Sequence, residues 1–239
     1  MSEKEMTMKD ESAVLIGALR QAVAGTQANF PAQFDWGGVL TLARAHHVEA
    51  LVCDGLKKSP DLWAQVPEEV RDRLNRACMQ AMYFDVQLDY IHRELQRRMC
   101  EANIRHIFLK GAVLKYSYPV PALRTMSDLD ILVYADDFAA LEAIAGEMGG
   151  QPAHSDGNHR NYFFPCGVTV EFHPNLLHHA TPVGSQINPG WQYAREGEDC
   201  AAQLTEEMAA TSLRSELATA SAACAVLAQR VIFTPSFSR

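Results

Sequence analysis

Apolar residues recur at helical spacing through most of the first hundred positions. Val14, Leu15, Ala18, Leu19, Ala22 and Val23 trace one face of a helix that Asp10 or Ser12 would cap. A break containing Gly25, Thr26 and Pro31 precedes a second segment, with Val39, Leu40, Leu42 and Ala43 followed by Val48, Leu51 and Val52. Pro67, followed by Glu68 and Glu69, reads as the first turn of a third helix. Proline is tolerated there, and acidic residues suit the positive end of the helix dipole. That pattern continues through Leu74, Cys78, Met82, Val86, Leu88, Ile91 and Leu95 to about Met99, the longest periodic segment of the chain.

Near Ile104 the period shortens from helical to strand-like. Ile104 to Leu109 is a short apolar run closed by Lys110-Gly111, and Ala112 to Tyr118 reads as one or two helical turns stopped by Pro119 and Pro121. Leu129 to Tyr134 predicts a second strand, and Asp136 to Met148 an amphipathic helix closed by Gly149-Gly150. Tyr162 to Pro165 and Val168 to His173 predict two strands joined at Cys166-Gly167. The expected fold is α+β: a small mixed sheet with helices on one face, preceded by a helical region. The expected division is 1–102 helical, 103–175 the sheet core, and 176–239 a loop and carboxy-terminal helical region. Glu206 to Arg230, rich in alanine, supplies a weak helical pattern, and the final VIFTPSFSR carries no clear structural signal.

The strand pattern places chemistry on one surface. If Ser127 to Val133 is extended, Leu129, Ile131 and Val133 point into the core while Asp128 and Asp130 share the other face. Two like charges side by side are costly unless a cation lies between them. The same alternation in Val168 to His173 puts Val170 and Phe172 on one face and Thr169, Glu171 and His173 on the other. Pairing of the two strands would bring Glu171 beside the aspartates. Three carboxylates on one face can hold divalent metal for phosphoryl or nucleotidyl transfer, with Mg²⁺ or Mn²⁺ as the ion. Lys110-Gly111 is the third element, because glycine lets backbone approach a phosphate closely and lysine adds charge. Arg124 and Ser127, just ahead of the aspartates, are further phosphate candidates.

Taken singly, these signals are weak. A D-x-D pair is common on exposed strands; it gains meaning joined to Leu109-Lys110-Gly111, Arg124 and the V-E-F-H string. His173 by itself reads more simply as an exposed histidine than as a partner of a carboxylate. His154, His159, His178 and His179 lack the matched spacing of a zinc site. The Tyr162-Phe163-Phe164 run reads as hairpin packing rather than a platform for bases.

Composition narrows the partners. A hydrophobic fraction of 48% across 239 residues supplies a sizeable core, and six scattered cysteines without a C-x-x-C pair suggest neither zinc nor redox chemistry. The net charge of -8 argues against tight, sequence-independent binding of long nucleic acid and leans towards a small or protein acceptor. The polar start, unlike a signal peptide, and the lack of a long apolar run point to a cytoplasmic protein.

The string FLKGAVLKYSYPVPALRTMSDLDILV, with VEFH some forty residues later, resembles the uncharacterised nucleotidyltransferase family within the DNA polymerase β-like superfamily. The resemblance covers about residues 100–175. It implies a metal-dependent enzyme that moves a nucleoside monophosphate from a nucleoside triphosphate to an acceptor hydroxyl. Asp128 and Asp130 match the metal pair of that family, Glu171 its third carboxylate, and Lys110 with Gly111 its phosphate turn. Lys-Gly stands where the wider superfamily has Gly-Ser, and the gap from Gly111 to Asp128 is longer than usual. Those departures keep a second reading open, a non-catalytic nucleotide- or protein-binding module on the same fold. A third is hydrolysis of a phosphate ester on the same carboxylates.

Overall fold

A computed structural model describes residues 3–153, 159–176, 191 and 232–233 of the chain, with side chains from residue 10 to residue 191. The segment Glu206–Arg230, expected to be helical, lies outside the described residues, as do His154, His178 and His179. The chain divides into two compact units. One comprises Met1–Val86 with Lys115–Thr125, the other Gln87–Leu114 with Met126–Arg239.

The first unit is helical: α1 (Glu3–Ala24), α2 (Trp36–Ala45), α3 (Glu49–Lys57), α4 (Pro60–Gln65) and the beginning of α5 (Glu68–Glu101). α1 starts ahead of the expected caps, so Asp10 and Ser12 lie inside it. Its first turns are built from good helix formers with no apolar period to read. The second apolar segment resolves into two helices. His47, at φ 54, takes the left-handed conformation normally given to glycine, and Val48 N donates to Ala43 O at 2.9 Å, closing α2. Asp35 begins α2 by accepting from Gly37 N at 3.1 Å and Gly38 N at 2.9 Å. Leu15, Ala18, Leu40, Val52, Leu56 and Leu74 fill the core, with α1 lying on α3. The return segment adds Leu123 to a second cluster with Ala22, Ala50 and Leu51. It also buries Lys115, whose ammonium meets Asp85 at 2.8 Å.

The second unit is a mixed sheet. Its strands are β1 (His106–Phe108), β2 (Asp128–Val133), β3 (Gln151–Pro152), β4 (Arg160–Phe163), β5 (Thr169–His173) and β6 (Ile232–Phe233), in the order β3-β4-β5-β2-β1-β6. β3 and β6, each of two residues, were not foreseen. Gly167, at φ 92, makes the expected turn between β4 and β5. α6 (Gly111–Leu114) follows β1, and α7 (Phe138–Glu147) follows β2. Phe108, Ile131, Phe172 and Arg160 are successive in-register neighbours and so share one face. His92 of α5 packs against Phe108 with ring centres 3.9 Å apart and tilted by 48°, and the Arg160 guanidinium lies 5.0 Å over Phe138 of α7. Both helices therefore cover that face. The other face carries the acidic residues and, alongside them, an apolar cluster of Ile107, Leu109 and Leu132. β2 is thus buried on both faces. A central strand flanked by β1 and β5 has little surface left for water.

His106 makes the sheet unit acid-sensitive. Fully buried, with Nδ1 at 2.9 Å from Ile104 O, its imidazole is lowered by desolvation from 6.5 to about 4. The neutral ring favours the fold above pH 6.5, and that contribution, about 3 kcal/mol, is lost as the pH falls from 6.5 to 4. Chemical denaturation of the protein and of His106→Leu should therefore give stabilities that differ in pH slope across this window. Parallel slopes would mean the ring is not held neutral.

Candidate active site

β2 and β5 run parallel, with Asp128 opposite Thr169, Asp130 opposite Glu171 and Leu132 opposite His173. In-register neighbours on a sheet point to the same side, so this pairing puts Asp128, Asp130, Glu171 and His173 on a common surface. The end of β1 leads to a fifth group, Lys110. Leu109 N donates to Asp130 O at 2.9 Å, tying the end of β1 to β2, and the chain then turns sharply. Lys110 takes φ 47 in that turn, a left-handed conformation that a non-glycine residue adopts at a cost of about 1 kcal/mol. Its carbonyl accepts from Val113 N at 3.2 Å and Leu114 N at 2.9 Å, which starts α6 at Gly111. Its side chain turns back to the carboxylates.

Asp130 is the centre of the group. It is 2% exposed, and its Oδ1 accepts from Lys110 Nζ at 2.6 Å and from His173 Nε2 at 2.9 Å. Burial alone would raise its carboxyl, yet the bonds from His173 and Lys110 outweigh that and hold it below the ordinary carboxylate range. His173 Nε2 is also 3.3 Å from Glu171 Oε2. Ligand atoms of Asp130, Glu171 and His173 all fall within 4.8 Å of one another, close enough to share one ion. Asp128 stands beside this trio rather than in it. Its carboxyl is pushed up, by burial first and then by the charges of Asp130 and Glu171.

Of the residues singled out from sequence, Asp130, Glu171 and Lys110 are brought together, with Asp128 adjoining. Gly111 is buried at the first position of α6. Ser127 is exposed just before β2, where its carbonyl accepts from Thr169 N at 3.3 Å. Arg124 belongs to the helical unit, and its guanidinium lies 6.0 Å from the Tyr118 ring. The residue underweighted from sequence is His173, whose imidazole joins both acids and stacks on His159 with ring centres 5.2 Å apart. The signal was present: His173 is two residues beyond Glu171 and therefore on its face.

The model of a family described as uncharacterised nucleotidyltransferase matches residues 32–220. Among curated proteins, none matches the chain. The solution structure of the antibiotic-resistance factor ANT(2'')-Ia is similar at 17% identity and a TM-score of 0.33, over 38% of this chain and 48% of that one. The similar part thus spans about half the length of that factor. Since the family match takes in well over half of the sequence, the chain belongs to the uncharacterised nucleotidyltransferase family.

Proposed function

We propose that the protein is a metal-dependent nucleotidyltransferase that moves a nucleoside monophosphate from a triphosphate to an acceptor hydroxyl. The observation that carries this reading is the parallel register that sets Asp130 opposite Glu171 beside the Lys110 ammonium. The donor set fits a hard divalent cation. Asp130 and Glu171 offer carboxylate oxygens, and Asp128 adds a third carboxyl at their side. Carboxylate oxygens suit Mg²⁺ and Mn²⁺ alike. When bound, such an ion supplies charge stabilisation at the reacting phosphate and acidifies the acceptor hydroxyl.

The chain's own residues do the rest. Asp130, which accepts from His173, anchors the site, and Glu171 takes the acceptor proton. Lys110, the Gly111 amide and Ser127 bind the phosphates. The acceptor is a small molecule or a protein hydroxyl, in keeping with the net charge of -8. A panel of α-labelled nucleoside triphosphates with Mn²⁺ or Mg²⁺ tests the reading. Pyrophosphate release that needs both metal and acceptor is expected. Triphosphate binding with no pyrophosphate from any acceptor would favour a non-catalytic module, and release of product with water alone would favour hydrolysis.

A further inference from the structure

We infer that Lys110 competes with divalent metal for Asp130, so that the ion enters in exchange for the lysine and together with a triphosphate that takes up the freed ammonium. The inference rests on the metal reading proposed above.

Its basis is how one oxygen is spent. Asp130 is buried, and Oδ1 accepts both from Lys110 Nζ at 2.6 Å and from His173 Nε2 at 2.9 Å. A third partner at that oxygen must displace one of them. An ion that also bonds Glu171 would stand within a few ångströms of the ammonium, where two cations repel. His173 is the less mobile partner. Its side chain is 19% exposed, it also lies at 3.3 Å from Glu171, and it stacks on His159. Lys110 is the one able to leave, because its side chain is 48% exposed. Its backbone is fixed by hydrogen bonds to its carbonyl, so the exchange needs only side-chain rotation. A freed ammonium at the mouth of a carboxylate cluster needs a new anionic partner, and a triphosphate supplies one. Lysine as a compact, strongly hydrated point charge on a flexible stem suits such a transfer. Metal and triphosphate then bind with positive coupling, reciprocal by thermodynamic necessity.

Binding of Mn²⁺ to the full-length protein, followed by the loss of its free electron paramagnetic resonance signal, tests this without any turnover. Lys110→Met should bind Mn²⁺ alone at least tenfold more tightly than the unmodified protein. Lys110→Gly, which suits the backbone at φ 47, should do the same and guards against a folding defect in the first variant. The double variant with Asp130→Asn should lose the gain. An equimolar mixture of the four α,β-methylene nucleoside triphosphates should tighten Mn²⁺ binding in the unmodified protein and much less in Lys110→Met. Unchanged or weaker Mn²⁺ affinity in both Lys110 variants, with binding still abolished by Asp130→Asn, would overturn the exchange and leave the metal reading intact. No Mn²⁺ binding in any form, with or without triphosphates, would remove the metal reading and the exchange with it.

Discussion

Asp130→Asn is expected to lower nucleotidyl transfer by on the order of 10³-fold or more while the sheet unit stays folded. The buried carboxylate is the shared acceptor of Lys110 and His173 and faces Glu171 across the parallel pair. Asparagine keeps the size and one acceptor oxygen but loses the charge that would bind an ion. Lys110 is half-exposed, so water can solvate its ammonium once the partner is neutral, and little stability is lost. Single-turnover rates at saturating metal, with thermal melting as the control for folding, make the measurement. Activity within tenfold of the unmodified protein, at unchanged melting temperature, would remove Asp130 from the chemistry.

Gly55→Ala should produce the largest loss of stability that a single methyl group can cause in the helical unit. Gly55 of α3 lies against the backbone of α1, where an added Cβ would collide with Ala18 O and stand 2.6 Å from Ala18 C. Both contacts are to main chain, so no side-chain rotation can relieve them, and the helices must part. Overpacking commonly costs about 1–3 kcal/mol, and a backbone clash of this kind belongs at or beyond the upper end. It must also exceed the gain of about 1 kcal/mol that alanine brings to a helix. A net loss of about 3 kcal/mol is expected, a large part of the total for most domains. Gly146→Ala in α7 is the contrasting case. Among the described residues nothing lies within 4 Å of its Cβ position, so the helix preference acts alone and stability should rise by about 0.5–1 kcal/mol. Denaturant midpoints for the two variants should move in opposite directions. Equal small shifts would show that α1 and α3 can separate at little cost.

Much of this arrangement was legible in the residues themselves. The helical period from Leu74 to Met99 and the alternation in Asp128–Val133 and Thr169–His173 are local signals, and each became the expected element. The shared face of Asp128 and Asp130 follows from that alternation alone. What was not legible depends on partners distant in sequence. No local pattern states that β2 and β5 run parallel, or that Asp130 falls opposite Glu171 rather than one residue away. Burial of Asp130 on a nominally polar face comes from neighbours that only the assembled sheet supplies. The break at His47 was not legible because positive φ is normally announced by glycine; at Lys110 Gly111 announced the turn, but the positive φ falls on the lysine.

The parallel pairing also bears on how this centre comes into being. Asp130 and His173 are 43 residues apart, and everything between β2 and β5 must be traversed before they meet. Such non-local pairings are slow to form, since chain closure costs entropy before any contact repays it. A nascent chain ending ahead of Thr169 would hold both aspartates without the strand that brings Glu171 and His173 to them. Ion capture should thus be among the last events of folding, and the appearance of tight Mn²⁺ binding during refolding would time the moment β5 docks.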